Sequence, residues 1–200
     1  MERNKKNELM KQKILDAAYR EFNEKGYELA STNVICQSAG ISKGIIYHYF
    51  KSKDELYLYC VKECFSAITA YLKTHVPSFK EDPHSYIRHY FKQRRVFLTE
   101  HPEFHNLFYH NLISPPIRLI EEVEELRSAF DMLNSSIFAQ IFQKHQLKEG
   151  ISVEDALLHI RMYQNGIYTA FANRIGLFEE DVYEQTCLQS IKILTHGLLR

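Results

Sequence analysis

Residues 32–53 constrain the fold of this chain more than any other segment. Apolar residues recur there at helical spacing on both sides of Ala39-Gly40, and glycine ends a helix readily because it adopts the left-handed conformation without penalty. Thr32 is expected to cap the first short helix and Ser42 the second. Two short helices joined by a tight glycine turn predict a helix-turn-helix, whose second helix is built to enter the major groove of DNA.

The charge distribution agrees with this interpretation. Residues 29–53 contain no Asp or Glu but include Lys43, Lys51 and Lys53. Residues 1–53 hold ten Lys and Arg against six Asp and Glu, which leaves a net charge of +4 in a chain whose total is zero. Three lysines alone would suit an ordinary solvated face, but at the end of a helix-turn-helix they indicate attraction to a phosphate backbone through counterion release.

A longer pattern extends over residues 13–59. It consists of Ile14-Leu15-Asp16-Ala17-Ala18, Phe22, Gly26, Thr32, Ile35, Ala39-Gly40-Ile41-Ser42-Lys43-Gly44, Ile46-Tyr47, Tyr49-Phe50, Lys51-Ser52-Lys53 and Leu56. In order and spacing these residues resemble the DNA-binding domain of the TetR family of bacterial transcriptional regulators. Two positions differ, since Cys36 stands where the family usually has Ala and Tyr49 where it often has His. Cysteine is still small, so we expect the fold to survive.

Helical apolar spacing continues through the rest of the chain, without convincing strand alternation, so the sequence predicts an all-α protein of about nine helices. With the resemblance, residues 1–53 are expected to form a three-helix helix-turn-helix DNA-binding domain, and residues 54–200 a helical ligand-binding and dimerisation domain. Besides the two motif helices, the expected spans are 9–25, 54–74, 83–100, 103–112, 116–145, 153–174 and 179–199.

The motif suggests roles in DNA binding for individual residues. Lys43 can reach a base edge or a phosphate, Gly44 permits close approach of the backbone, and Ile45 can touch a thymine methyl group. The residues expected to lie at phosphates are Thr32, Ser42, Tyr47, His48 and Lys53. We expect the second motif helix to turn Lys43, Gly44, Tyr47 and His48 outward, and Ile46 with Tyr49 or Phe50 inward. The expected target is a palindromic operator in double-stranded DNA, because two half-sites supply the contacts that one motif lacks.

Aromatic side chains are frequent in residues 86–171, and most of them are expected to form a core. Polar residues lie near the same apolar stripes, namely Arg94, Arg95, Asn106, Asn134, Gln140, Arg161, Gln164 and Asn165. A ligand pocket combines mostly apolar walls with a few polar groups. The family resemblance implies a small-molecule effector held among the fourth to eighth helices, and the candidate wall residues are Phe104, Phe108, Met132 and Tyr163.

The last two predicted helices carry apolar residues at helical spacing, some of which must face the core of the chain itself. The resemblance implies a homodimer, in which the remaining residues form a four-helix bundle with a second copy. The candidate dimerisation residues are Leu157, Ile160, Ile167, Ile191, Leu194 and Leu198.

Other classes of protein find little support in the sequence. No glycine-rich phosphate loop, G-x-S-x-G or H-E-x-x-H motif occurs, so neither enzymatic activity nor a cofactor is expected. Cys60 and Cys64 are four residues apart, as are His101 and His105, but buried thiols and ordinary histidines explain them better than a metal site. An apolar run of about 18 residues and a signal-peptide core are both absent, so we expect a cytoplasmic protein without a membrane partner.

Three hypotheses follow from the sequence. The first is a dimeric DNA-binding repressor that a small apolar or amphipathic ligand releases from its operator. The second is a regulator of the same family that answers to a protein partner or that activates transcription. The third is a helical enzyme or scaffold that does not bind DNA and whose motif is accidental.

Overall fold

The computed structural model describes residues 2–78, 80, 82–172 and 180–198. Within these ranges the chain forms nine α-helices and no β-strand, which confirms the all-α fold. The helices are α1 (Glu2–Leu29), α2 (Thr32–Ala39), α3 (Lys43–Tyr49), α4 (Lys53–His75), α5 (Pro83–Glu100), α6 (His105–Ile113), α7 (Ile120–Lys144), α8 (Val153–Ala172) and α9 (Glu180–Leu198). Short 3-10 helices at Pro102–Phe104 and Ile117–Leu119 precede α6 and α7.

The first helix is longer than the sequence predicts. It begins at Glu2 rather than at residue 9, because Lys and Glu are good helix formers and extend a helix into solvent without an apolar face. The prediction rested on the apolar stripe alone. Gly26 interrupts the helix as expected, with φ 67° and ψ 179°, although helical structure resumes and ends at Leu29.

The turn of the helix-turn-helix forms at the predicted glycine, but one predicted cap is wrong. Gly40 adopts the left-handed conformation, with φ 64° and ψ 38°. The cap of α2 is Ser31, whose hydroxyl oxygen accepts a hydrogen bond from the Asn33 N–H at 3.3 Å, and Thr32 is the first helical residue. Adjacent Ser and Thr have similar capping preferences, so the sequence alone did not separate them. Ser42 occupies the cap position of α3 without a side-chain capping hydrogen bond.

The fourth helix begins within one residue of its predicted start, and Ser52 caps it. The hydroxyl oxygen of Ser52 accepts a hydrogen bond from the Glu55 N–H at 3.1 Å, while the Glu55 carboxylate accepts one from the Lys51 N–H at 2.6 Å. This reciprocal arrangement satisfies two backbone donors at the helix start and fixes the chain that leaves α3.

The described residues divide into two compact units. The first unit draws on Met1–Ser66, Leu98–Asn111 and Pro115–Arg127, and the second on Ala67–Phe97, Leu112–Ser114 and Ser128–Arg200. Fully buried side chains of the first unit include Ile14, Phe22, Ile35, Ile46, Leu56, Tyr57, Phe65 and Phe108, and those of the second include Ile68, Leu72, Phe130, Ile141 and Ala156. The expected division into residues 1–53 and 54–200 stays a prediction. None of the helices in the described ranges has the length and apolar character needed to span a bilayer.

Candidate nucleic-acid interface

The short helix α3 is held by its apolar side and exposes its polar side. Ile46 is 1% exposed, and Phe50, which directly follows the helix, is 4% exposed. Burial of these two side chains fixes the rotation of the helix about its axis. The exposed residues of α3 are Lys43, Gly44, Tyr47 and His48, as the sequence predicts.

The preceding helix α2 contributes buried residues to the core beside α3. Ile35 and Cys36 are 0% and 5% exposed. The first unit therefore accommodates a cysteine where the TetR pattern usually has alanine. Of the remaining predicted contact residues, Thr32 and Ile45 are half-buried and Ser42 is exposed.

Lys53, which the sequence places at a phosphate, bonds to the protein's own backbone. Its Nζ donates to the Ala30 carbonyl at 2.9 Å and lies 3.4 Å from the Glu28 carbonyl. The same ammonium group lies over the ring of Tyr27, 4.5 Å from the centroid. In this arrangement Lys53 satisfies carbonyl groups at the end of α1, where intrahelical donors are lacking.

A small polar network joins the end of α1 to the start of α4. The hydroxyl of Tyr27 donates to the carboxylate of Asp54, which also forms an ion pair with Arg118. Burial, and then the hydrogen bond to Asp54, raise the pKa of Tyr27 to about 12. The network therefore joins the end of α1 and the first turn of α4 to Arg118 in the 3-10 helix before α7.

An open cleft of about 480 Å³ separates the N-terminal part of α1 from α3. The sequence motif did not indicate that this part of α1 lies beside α3. The doublet Lys5-Lys6 was the available signal, but the expected start of α1 at residue 9 left it outside the fold. The residues that line the cleft are Lys6, Asn7 and Met10 from α1 and Gly44, Ile45, His48 and Tyr49 from α3.

The four candidate effector residues do not line one common cavity. Phe104 and Phe108 are buried in the first unit, where Phe104 packs edge-on against Tyr19 at a centroid distance of 5.2 Å. Met132, in the second unit, is 66% exposed. Tyr163 alone of the four lines a cavity of the second unit.

That cavity combines aromatic walls with polar groups. Its space is about 10 Å³, which is no more than one water molecule occupies. Arg94 is 2% exposed, and its guanidinium carbon lies 4.6 Å from the centroid of the Phe91 ring. The hydroxyl of Tyr90 donates to the side-chain carbonyl of Asn134. Arg94 and Asn134 are among the polar residues expected near the apolar stripes, but they were not candidate wall residues, because spacing alone does not show which polar groups are enclosed.

Four of the candidate dimerisation residues are buried or half-buried within the single chain, and the structure does not describe the side chains of the other two. Ile160, Ile167 and Ile191 are 2%, 9% and 4% exposed within the single chain, and Leu157 is half-buried. The side chains of Leu194 and Leu198 lie outside the described residues. Among the side chains that are described, the large exposed apolar residues are Leu158, Met162 and Tyr163 on α8 and Val182 and Ile193 on α9.

The cysteine and histidine pairs do not form a site in the part of the chain that is described. No group of three or more His, Cys, Asp and Glu residues there could hold a metal ion. All four cysteines are buried thiols, and burial raises the pKa of the Cys60 and Cys64 thiols well above its usual range. Such thiols are poor nucleophiles and poor metal ligands because the thiolate form is suppressed.

Comparison with known proteins gives a family match over the helix-turn-helix. The profile of bacterial regulatory proteins of the tetR family matches residues 14–60. IcaR of Staphylococcus epidermidis RP62A, a negative transcriptional regulator of the biofilm operon icaADBC, is 25% identical over 175 residues, which cover 86% of this chain and 90% of that protein. IcaR of Staphylococcus aureus Newman is 43% identical over 56 residues, or 28% of this chain and 30% of that protein.

Solved structures show the same fold along nearly the whole chain. FadR from Bacillus subtilis in complex with stearoyl-CoA has a TM-score of 0.67 and 19% identity, and the match covers 89% of this chain and 95% of that one. The fatty acid degradation regulator FadR from Bacillus halodurans also has a TM-score of 0.67, at 17% identity, over 94% of this chain and 99% of that one. The fold of the whole chain and the sequence of its helix-turn-helix therefore both resemble those of TetR-type regulators.

Proposed function

We propose that this chain, which belongs to the TetR family of DNA-binding transcriptional regulators, acts in the cytoplasm as a homodimeric repressor, and that a small effector releases it from its operator. The observation that carries the DNA-binding role is the exposed face of α3. Lys43, Tyr47 and His48 project from a helix that Ile46 anchors, within a segment that has no acidic residue. Such a face can enter a major groove without like-charge repulsion from the phosphates.

The proposal that the regulator represses rests on a relative that matches along most of its length. The S. epidermidis protein is described as a negative regulator, and its match extends beyond the helix-turn-helix into the variable part of the chain. Repression requires only that a bound protein occlude the promoter, so it follows from tight operator binding. Activation would require a further surface that contacts the transcription machinery.

The proposed homodimer uses α8 and α9. A single helix-turn-helix buries too little surface for strong specific binding, whereas two motifs related by a twofold axis read two half-sites about 34 Å apart. The exposed apolar residues Leu158, Met162 and Ile193 support this assignment, because they would be covered in a bundle of four helices.

The proposed effector site is the cavity of the second unit. Its walls include Tyr90, Phe91, Ile160 and Tyr163, and Arg94 contributes a buried charge. This mixture suits an amphipathic ligand with an apolar body and a polar or anionic end. Because the cavity now has room for about one water molecule, side chains must move apart for the ligand to bind. A ligand that favours the opened state shifts the protein toward it.

Selection from a pool of random duplex DNA tests the DNA-binding role even though the operator sequence is unknown. We expect enriched sequences to be inverted repeats, bound by a dimer, with affinity that falls steeply as salt rises. Lys43→Ala and Tyr47→Ala should weaken binding, while Lys92→Ala, an exposed lysine of α5, should bind like the wild type. No enrichment would contradict the proposal and favour a helical protein that does not bind DNA.

The effector is tested on the selected operator by competition with amphipathic compounds. Stearoyl-CoA is the first probe, because FadR from B. subtilis binds it within the same fold. Release of the operator by stearoyl-CoA or by a shorter-chain amphiphile supports the repressor mechanism. Retention of the operator with every compound would instead favour control by a protein partner, and higher transcription from an operator-bearing template on addition of the protein would indicate an activator.

A further inference from the structure

We propose that the N-terminal part of α1 belongs to the DNA interface, with Lys6 as a phosphate contact beside α3. The inference rests on the proposed DNA-binding function and extends it beyond the helix-turn-helix. It begins from the observation that α1 starts at Glu2, so that residues 5–10 continue a regular helix. Lys6 and Asn7 of this helical segment form one wall of the cleft whose other wall is α3.

The position of the cleft places Lys6 near any duplex that α3 reads. Gly44 and Ile45, the residues expected to approach base edges, line the same cleft. A methyl group added at Gly44 would meet only the Ser42 hydroxyl at 3.9 Å, so this side of α3 is open. A major groove is bordered on both sides by phosphates, and a helix inserted in it is flanked by the sugar-phosphate backbone. A cation on the opposite wall of the cleft can therefore reach that backbone.

A specific contact ties the two walls together. The hydroxyl of Tyr49 donates to the side-chain carbonyl of Asn7 and lies 3.5 Å from the Asn7 backbone carbonyl. The Tyr49 ring also packs edge-on against His48 at a centroid distance of 5.4 Å. Tyr49 is one of the two positions at which this chain departs from the usual TetR pattern. We assign it as a positioning residue, because a helix end that is fixed before binding loses less conformational entropy when it meets DNA.

The neighbouring charges single out Lys6 among the lysines of this segment. Lys11 is committed to α4, since its Nζ donates to the Tyr59 hydroxyl at 3.0 Å and lies over the same ring at 4.2 Å. Lys6 is exposed, and the cleft that it lines has no carboxylate among its described lining residues. Glu8 lines a different groove, on the side of α1 that faces Tyr59 and Glu63. Within the described lining of the cleft, the positive charge of Lys6 therefore has no acidic neighbour between it and α3.

The first experiment measures how affinity for the selected operator depends on salt, with Lys6→Ala and Lys6→Arg. We expect Lys6→Ala to lower the slope of log affinity against log salt by about 0.9, which is the value for one phosphate contact. A fourfold rise in salt should then cost the variant about three- to fourfold less affinity than it costs the wild type. Lys6→Arg should keep the slope, and Lys62→Ala, an exposed lysine of α4 outside the cleft, is the matched control.

The second experiment tests the hydrogen bond between Tyr49 and Asn7. Tyr49→Phe keeps the ring and removes the hydroxyl, so it should lower the salt slope as Lys6→Ala does, and adding Lys6→Ala should lower it little further. A merely structural effect on α3 would weaken binding with the slope unchanged, and that result would overturn the role of Tyr49. Thermal unfolding of each variant shows whether the fold is retained.

Failure of this inference differs from failure of the proposed function. If Lys6→Ala keeps the wild-type slope while Lys43→Ala weakens binding, the α1 contact is refuted and the DNA-binding function stands. If the wild-type protein selects no DNA at all, the proposed function fails and the inference fails with it. A reduced slope for Lys6→Ala, restored in Lys6→Arg, supports the inference.

Discussion

Lys53 has a role in the fold that the sequence motif did not reveal. Its ammonium group bonds carbonyl groups of Glu28 and Ala30 and lies against Tyr27, so it closes the end of α1 before any DNA is present. The sequence motif suggests a phosphate contact for the same residue. An ammonium group has three donors, so one lysine can make both kinds of contact. The contact within the protein should affect stability, and a phosphate contact should affect the salt dependence of DNA binding.

Replacement of Lys53 by alanine should destabilise the free protein. Loss of charged hydrogen bonds and of the contact with Tyr27 should lower the free energy of unfolding by about 1.5 kcal/mol, as measured by urea denaturation. Lys51→Ala removes an exposed lysine two residues away and should change stability by less than about 0.5 kcal/mol. A wild-type unfolding curve for Lys53→Ala would contradict the structural role. A salt slope lowered by about one in the same variant would show that Lys53 also contacts a phosphate.

At the scale of elements, two glycines of the helix-turn-helix have opposite purposes. Gly40 has φ 64°, a conformation that other residues rarely adopt, and nothing lies within 4 Å of a methyl group added there. Gly44 lies inside α3 with no positive φ, and an added methyl group would be accommodated. The first glycine is therefore needed by the fold, whereas the second is not, and its place on α3 fits the proposed close approach of the backbone to DNA.

The two alanine substitutions should separate these purposes. Gly40→Ala should lower the free energy of unfolding by about 1 kcal/mol, because the left-handed conformation strains a residue with a Cβ atom. Gly44→Ala should leave the protein as stable or stabilise it by up to about 1 kcal/mol, because alanine favours a helix interior, yet it should weaken operator binding. Denaturation and DNA titration of both variants test this. Equal stability losses for the two would contradict the assignment.

The elements also show what the sequence could and could not predict. The helix-turn-helix was predictable from local sequence, because Gly40 ends a helix and Ile46 and Phe50 are apolar residues at helical spacing that become buried. The start of α1 was not, since a solvated helix end of Lys and Glu has no apolar stripe to reveal it. The contact between Tyr49 and Asn7 joins residues 42 positions apart, so neither local spacing nor composition indicated it.

At the scale of the whole molecule, the distribution of apolar residues separates the core from an exposed face. Aromatic content in residues 86–171 did not reveal which residues are enclosed, because Phe108 and Met132 satisfy the same apolar pattern but are 0% and 66% exposed. Likewise Ile160 and Ile191 belong to the core of their own chain, whereas Leu158 and Met162 are exposed one helical turn apart on α8. The sequence pattern identifies apolar residues, but only the folded chain shows which of them are exposed.

A charge placed on the exposed face of α8 should disrupt the proposed dimer. Met162→Glu puts a carboxylate where a partner helix would bury it, so we expect a folded monomer in sedimentation experiments at micromolar concentration, with weakened operator binding. Ile117→Glu is the matched control, because Ile117 is 90% exposed and lies outside α8 and α9. A Met162→Glu variant that remains dimeric would exclude this face, and a wild-type monomer with full operator affinity would exclude the dimer.

Effector release requires that ligand binding and DNA binding oppose each other by a definite free energy. A tenfold loss of operator affinity needs a difference of about 1.4 kcal/mol between ligand binding to the free protein and to its DNA complex. Calorimetry of both forms, with a compound that releases the operator, measures that difference directly. Equal affinities would rule out release by this mechanism, however tightly the compound bound.

The proposed cavity predicts which residue the response depends on. Tyr163 lines the cavity and is 43% exposed, so Tyr163→Ala should remove a wall for the ligand without a large cost in folding. We expect this variant to bind the operator with wild-type affinity while about tenfold more compound is needed for release, as loss of roughly 1.4 kcal/mol of ligand binding would produce. Ile117→Glu serves again as the exposed control. If Tyr163→Ala is released from the operator by the same amount of compound as the wild type, this cavity is excluded as the effector site, because a ligand enclosed there must lie against its walls.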